Sequence, residues 1–230
     1  RNAAKLAAVA ESCRSGGAGV VEVSGDVVEP ADCERLLAAA LEEFGSIDYL
    51  VLNAGVSMWS RFEEVEDPEI FSKIMETNYL GAVHCVYHGL EALKKSGGLV
   101  GAISSVQGVT GVPFHTGYCA SKHALQGFCD SLRMELRGTG VDVLPVMPSW
   151  IRGTGLRAGA FGASGKALGD SAKSHNSSAV ELESLVGKVA RAMKKRKRHL
   201  YVPGYLRFVP LLKALCPRLL DRIIRKKVSR

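Results

Sequence analysis

The sequence predicts an α/β protein: a doubly wound parallel sheet with helices on both faces. Three observations carry this. Helix-like and strand-like patterns alternate along the 230 residues with short connections, as βαβ units require. The runs Tyr49–Leu52 and Leu99–Ile103 are wholly apolar, as strands buried on both faces are. Small or polar residues then follow successive strands, namely Asp26, Asn53, Ser105 and the Pro148-Ser149 corner. In such sheets that carboxyl rim is where ligands bind.

Taken in order, residues 2–14 are Ala-rich and predict a helix with Leu6, Val9 and Ala10 on one side, stopped at Gly16-Gly17. Val20–Val23 is β-branched and predicts a short strand. Pro30 and Ala31 open a helix through Phe44 with Leu36, Leu37 and Leu41 inward, closed by Gly45. Strand 49–52 ends in Asn53-Ala54-Gly55, and a loop with Met58 and Trp59 leads to one long helix over 68–95. Strand 99–103 runs into Ser104-Ser105, and a glycine-punctuated loop into a helix over 116–137. Strand 141–147 contains Pro145, more tolerable near an edge or strand end than inside a ladder. Residues 152–180 are rich in Gly, Ala and Ser, which fits either a surface loop or a lid over a pocket. A helix over 181–196 precedes a last strand at Leu200–Val202.

The length suits one large domain over residues 1–204 and a basic amphipathic tail over 205–230, with prolines at 210 and 217 that interrupt or kink it. Residues 188–230 hold 15 Lys/Arg and one acid, net +14; the other 187 residues hold 15 Lys/Arg and 22 acids, net −7. The tail could cover the core, meet a partner or lie on a membrane surface. Lys194–Arg198 resembles a nucleic-acid patch, but no aromatic interleaving or binding motif accompanies it, so nucleic acid is not expected and a solvated helix end is. The six scattered cysteines read as reduced, mostly buried thiols of an intracellular protein. His84 and His88 lack further ligands at metal-binding spacing, so no metal is expected. No uncharged apolar run of about 18 residues predicts a spanning helix, and no signal-peptide pattern opens the chain. The chain starts at Arg1 and not at Met, which leaves room for sequence upstream.

The chemistry concentrates in Ser105–Lys122. Tyr118 lies 13 residues beyond Ser105, and Lys122 four beyond Tyr118. On a helix that last spacing puts phenol and ammonium on one face. A free phenol titrates near 10, and a neighbouring ammonium favours its phenolate. With Ser105 holding a substrate oxygen, this is an acid–base device for a carbonyl/alcohol couple. Tyr-x-x-x-Lys also occurs often by chance, so its neighbours must carry the argument.

Those neighbours are Asp26-Val27, Asn53-Ala54-Gly55, Thr77-Asn78, Ser104-Ser105, Tyr118-Cys119-Ala120-Ser121-Lys122 and Pro148. In this order the chain resembles the short-chain dehydrogenase/reductase superfamily over nearly its whole length. It is most similar to the 11β-hydroxysteroid dehydrogenase-like and dehydrogenase/reductase member 7-like groups. The resemblance implies a Rossmann-like fold and an NADP(H)-dependent oxidoreductase, with NAD as the other candidate cofactor. The substrate would be a small apolar alcohol or carbonyl: a steroid, a retinoid or a lipid. The implied catalytic residues are Asn78, Ser105, Tyr118 and Lys122, with Tyr118 as acid/base, Ser105 orienting the substrate oxygen and Asn78 holding a relay water. The implied cofactor contacts are Arg1 at the 2′-phosphate, Asp26 and Val27 at the adenine, and Asn53, Ala54 and Gly55 along the dinucleotide. Tyr118 and Lys122 would meet the nicotinamide ribose, and Pro148 and Ile151 the nicotinamide. Homodimers or tetramers paired through the helices near residue 85 and Tyr118 are a further implication. So is a cytoplasmic or peripherally membrane-associated location, at the endoplasmic reticulum if the source is eukaryotic.

Two departures stand out. The 230 residues contain no T-G-x-x-x-G-x-G turn and none of the strands and helix around it, so the first two strands and first helix of the resembled fold are missing. That turn normally supplies N–H groups to a pyrophosphate. Strand 20–23 should therefore be orphaned and strand 49–52 should expose an apolar edge. The usual Pro-Gly after the strand ending near residue 147 is Pro148-Ser149, and a threonine expected at Gly153 stands one place late at Thr154. Two rival readings follow: a catalytically inactive remnant or incomplete chain of a longer enzyme, and a tail-led membrane- or partner-binding protein.

Overall fold

The computed structural model describes residues 2–169 and 179–228. Its central sheet is parallel, in the order β1-β2-β3-β6, with β1 Tyr49–Leu52, β2 Leu99–Ile103, β3 Asp142–Pro148 and β6 Leu200–Val202. Helices α2 (Pro30–Phe44), α4 (Gly81–Ser96) and α5 (Thr116–Glu135) cover one face. Leu37, Leu50, Val86, Val100, Leu125 and Val143 form the core there. Helix α6 (Leu182–Lys194) covers the other face of β2, β3 and β6 through Leu99, Leu144, Val146, Leu185 and Val202. The expected Rossmann-like layering is present.

The N-terminal side is thinner. Helix α1 (Ala3–Ser15) is capped by the Asn2 side chain, which accepts from Lys5 N at 2.9 Å. It buries Ala10 but leaves Val9 61% exposed, so the expected apolar face of this helix is only partly used. Residues 19–26 are extended and form no strand, contrary to the strand expected at 20–23. A strand needs a partner for its N–H and C=O groups, and β1 pairs only with β2. Polar side chains hold the segment instead: Arg14 pairs with Glu22 at 2.8 Å, and Arg35 donates to Ser24 O at 2.9 Å. The uncovered face of β1 leaves Tyr49 51% and Val51 47% exposed. In α2, Cys33 and Leu37 are buried with Leu41 beside them, whereas Leu36, expected inward, lies at the exposed margin of that stripe.

Three further expectations need correcting. The stretch expected as one helix is divided into α3 (Glu69–Met75), a π turn at Glu76–Leu80 and α4. Pro145 lies inside the sheet opposite Ala102, not at an edge. It is tolerated there because Asp142 N and Val146 O bond toward β2, which turns the Pro145 nitrogen toward β6, whose pairing begins only at Val146. Arg196 is no solvated helix end: its guanidinium grips Asp142 and the carbonyls of Gly98 (3.0 Å) and Gly140 (2.7 Å), tying α6 to the amino end of the sheet.

In the tail, Pro210 and Pro217 do not kink a helix; each lies in the opening turn of one, α7 (Val209–Leu215) and α8 (Pro217–Val228). The two helices fold back over the carboxyl rim, where Leu220 is buried and Lys213 donates to Val109 O at 3.1 Å.

Candidate active site

β2 ends at the rim in Ser104 and Ser105. Ser105 caps a short 3-10 turn (Val106–Gly108), its Oγ accepting from Gln107 N at 3.1 Å. The opening turns of α5 carry Tyr118 and Lys122 down toward that turn, and all three side chains are buried. The approach is close. A Cβ on Gly108 would stand 2.8 Å from Lys122 O and 2.9 Å from Ser104 Oγ, so only glycine fits. Ser104 Oγ is buried without a hydrogen-bond partner among the described residues.

Electrostatically the site is dry and cationic. Burial pushes the Tyr118 phenol up to about 12, against a hydrogen bond with Ser105 that favours the phenolate. Burial also pulls Lys122 down to about 8. Lys122 Nζ donates to Ile103 O at 2.9 Å and stands 5.7 Å from the centre of the Tyr118 ring. Desolvation thus outweighs the expected pull of the ammonium on the phenol.

Asn78 sits in the π turn, where helical pairing is interrupted, a recurrent feature of functional sites. Its side chain is a joint. Oδ1 accepts from Val56 N (2.8 Å), and Nδ2 donates to Val56 O (2.9 Å) and to Ser121 Oγ (2.9 Å). Ser121 in turn donates to Tyr118 O (2.9 Å). Both amide protons of Asn78 are engaged, so the side chain itself fixes the β1 exit loop against α5.

These groups open into a cavity of about 630 Å³. Asn53, Gly55, Lys122, Pro148 and Ile151 line one part of it, with Ser105 and Tyr118 beside them. A Cβ on Gly55 would stand 3.3 Å from Asn78 Oδ1 and 3.8 Å from Lys122 Nζ, so the missing side chain leaves room against the ammonium. Thr154, the displaced threonine, also faces the cavity, after Gly153 at φ +84°. Three expected cofactor residues are elsewhere. Ala54 is exposed and does not line the cavity. Asp26 lies in the loop before α2, accepting from Val28 N at 3.1 Å. Val27 packs on Gly81, where a Cβ would meet Val27 Cγ2 at 2.6 Å. Arg1 lies outside the described residues.

The rest of the cavity wall was not singled out by sequence. Trp150, His115 and Arg157 line it together with Trp59. Tail residues Leu212, Leu220, Ile223, Ile224 and Lys227 complete it. The sequence signal for the tail was its apolar stripe, which leaves open what the stripe covers. Of the glycine-rich stretch 152–180, residues 170–178 lie outside the described residues. Its first part is tied down. β4 (Ile151–Arg152) pairs with β5 (Val180–Glu181), and Phe161 exchanges backbone bonds with Ser57 (2.9 Å) and Trp59 (2.8 Å). Ala160 is buried.

Comparison with known proteins agrees with this layout. The family model "short chain dehydrogenase" matches residues 1–163. 11-beta-hydroxysteroid dehydrogenase A of Arachis hypogaea is 33% identical over 226 residues, covering 96% of this chain and 64% of the relative. Dehydrogenase/reductase SDR family member 7B of Rattus norvegicus is 32% identical over 213 residues, covering 90% and 64%. The chain thus spans just under two thirds of the length of these relatives. Among solved structures, a short-chain dehydrogenase/reductase of Burkholderia phymatum in complex with NAD superposes with a TM-score of 0.79 at 21% identity, covering 93% of this chain and 82% of that one. An alcohol dehydrogenase of Thermococcus sibiricus complexed with 5-hydroxy-NADP gives 0.71 at 23% identity, covering 87% and 81%.

Proposed function

This chain belongs to the short-chain dehydrogenase/reductase family, and from that premise we propose that it carries the acid–base and substrate half of an NADP(H)-dependent oxidoreductase. The reaction interconverts an apolar alcohol and its ketone or aldehyde. The observation that supports this best is the convergence of Ser105, Tyr118 and Lys122 on one buried, mostly apolar cavity. Tyr118 donates a proton to the substrate oxygen in reduction and takes it back in oxidation. Ser105 holds the same oxygen beside the phenol. The Lys122 ammonium stabilises the phenolate while that proton is away. Asn78 positions the loop and helix that carry these groups. The space between Gly55, Lys122, Pro148 and Ile151 fits a nicotinamide ribose, and a bound dinucleotide supplies or accepts the hydride. Water is excluded by Trp59, Trp150 and the tail helices, which strengthens each of these interactions. NADPH-linked reduction of an aliphatic or steroid ketone, lost in Tyr118→Phe with ligand binding retained, tests this reading; unchanged turnover in the variant would refute it.

One observation favours a second reading. Tyr49 and Val51 are exposed where a further strand and helix would pack, and no glycine-rich turn is present to receive a pyrophosphate. On this reading the 230 residues alone do not bind the dinucleotide. Titration with NADPH decides: micromolar binding by the chain rules the second reading out.

Two associations belong to the same proposal. The chain pairs with a second copy through α4 and α5, where Tyr87 is 77% and Met134 69% exposed; light scattering should return a dimer or larger. The outer face of α7 and α8, with Leu211, Leu215 and Leu219 exposed among lysines and arginines, rests on a membrane surface. No helix among the described residues is long and apolar enough to cross one. Equal liposome flotation with and without residues 205–230 would exclude the tail's role.

A further inference from the structure

The cavity wall opposite the catalytic residues contains an arginine held between two indoles. The Arg157 guanidinium carbon stands 4.8 Å from the ring centre of Trp59 and 5.3 Å from that of Trp150. Trp59 stacks on Phe114 at 5.4 Å, nearly parallel, and meets the edge of His115 at 4.9 Å. His115 lies 6.3 Å from the Tyr118 ring, so an unbroken run of aromatic contacts joins the arginine to the catalytic phenol. Burial, assisted by the Arg157 charge, holds His115 down at about 4, so the imidazole is neutral and adds no competing cation. Arg157 is half-buried and itself partly desolvated.

The charge balance of the wall has one sign. Lys122, Arg157 and Lys227 line the cavity, and among the described residues no aspartate or glutamate does. A neutral steroid or retinoid would use none of this. A guanidinium fixed in one plane by flanking rings is pre-organised for the two oxygens of a carboxylate, and in a dry cavity such a bond is strengthened. The remaining wall, including Leu206, Leu212, Ile223 and Ile224, is aliphatic.

We propose that the substrate is an apolar carbonyl or hydroxy compound bearing a carboxylate, such as an oxo or hydroxy fatty acid, and that Arg157 is its specificity-determining contact. The head group is gripped by Arg157 between Trp59 and Trp150, and the aliphatic chain lies along the tail-helix wall with its carbonyl at Tyr118. This rests on reading the Tyr118 cavity as the substrate site, but its test is independent of turnover. The chain has two tryptophans, and both belong to the clamp, so intrinsic fluorescence reports occupancy directly.

The 230-residue chain is titrated with an oxo-octadecanoic acid and with its methyl ester, both below their micellar concentrations. The acid is expected to quench with a Kd at least about ten-fold lower than the ester, a ratio typical of one charge-assisted contact. In Arg157→Gln that ratio should shrink to within about two-fold, and in Arg157→Lys it should recover in part. Equal binding of acid and ester by the unaltered chain would overturn the proposal. So would a preference that survives Arg157→Gln, or one lost in Lys227→Gln instead. Loss of NADPH binding in Arg157→Gln without change in the acid-to-ester ratio would assign the arginine to the cofactor and overturn it too. Should the chain show the acid preference but no NADPH-linked turnover, the clamp stands and the catalytic reading fails.

Discussion

The two ends of the sheet are built to different standards. At the carboxyl rim of β2 and β3, Ser105, Tyr118 and Lys122 are enclosed by α5, the 3-10 turn, the Trp59 loop and the tail. At β1, two large apolar residues face outward, and the residues before α2 run without a strand partner. The difference teaches that proton chemistry and dinucleotide binding are separable in this fold. The first is completed by residues from Gly55 onward; the second needs structure beside β1 that these 230 residues do not contain.

The largest expected effect tests the dense end chemically. Tyr118→Phe should lower NADPH-linked ketone reduction by about 10³-fold, the range removed with a positioned acid/base, while fluorescence-detected ligand binding changes little. A drop of less than about ten-fold would make the dense end mere packing. The next tests it mechanically. Leu144 is wholly buried in β3, and Leu144→Ala should destabilise by about 2–5 kcal/mol in urea unfolding.

Lys122 gives the comparison a pH signature. Between about pH 8 and 10.5 the folded chain has released the Lys122 proton while the unfolded chain keeps it, so stability rises with pH across that window. Above pH 10 the folded chain keeps the Tyr118 proton that the unfolded chain loses, and stability falls again. Lys122→Met should abolish the rise and add on the order of 1–3 kcal/mol at pH 7, since a desolvated ammonium is replaced by an apolar chain of similar length. A urea midpoint unchanged at pH 7 would mean that water reaches the ammonium. Asn78→Ala, which leaves Val56 and Ser121 short of partners, should cost about 1–3 kcal/mol. Smallest of all, Val51→Thr on the uncovered face should shift stability by no more than about 0.5 kcal/mol. A larger loss there would show the thin end to be covered in solution.

Much of this was legible in the sequence because the signals were local. Apolar runs bounded by Gly and Asn placed β1 and β2, and the four-residue step from Tyr118 to Lys122 fixed their common face. The orphaned segment at 20–23 was legible too, as a partner missing from the order of elements. What escaped depends on contacts distant in sequence. Pro145 looks like an edge residue until the hydrogen-bond alternation of two neighbouring strands is known. The π turn at 76–80 interrupts a helical pattern whose apolar residues still match an unbroken one. Trp59, Trp150 and Arg157 carry no shared spacing, and only the packing of three loops brings them together.

The tail helices also have a consequence for how the site can diversify. Ile223 lines the cavity and is still 39% exposed to the outside, so the wall there is one side chain thick. Its residues touch nothing in the hydrogen-bond chain from Asn78 through Ser121 to Tyr118. Chemistry and selectivity are thus written in separate stretches of the polypeptide. Substitutions in α7 and α8 can reshape the chamber from outside while the proton-transfer apparatus stays as it is.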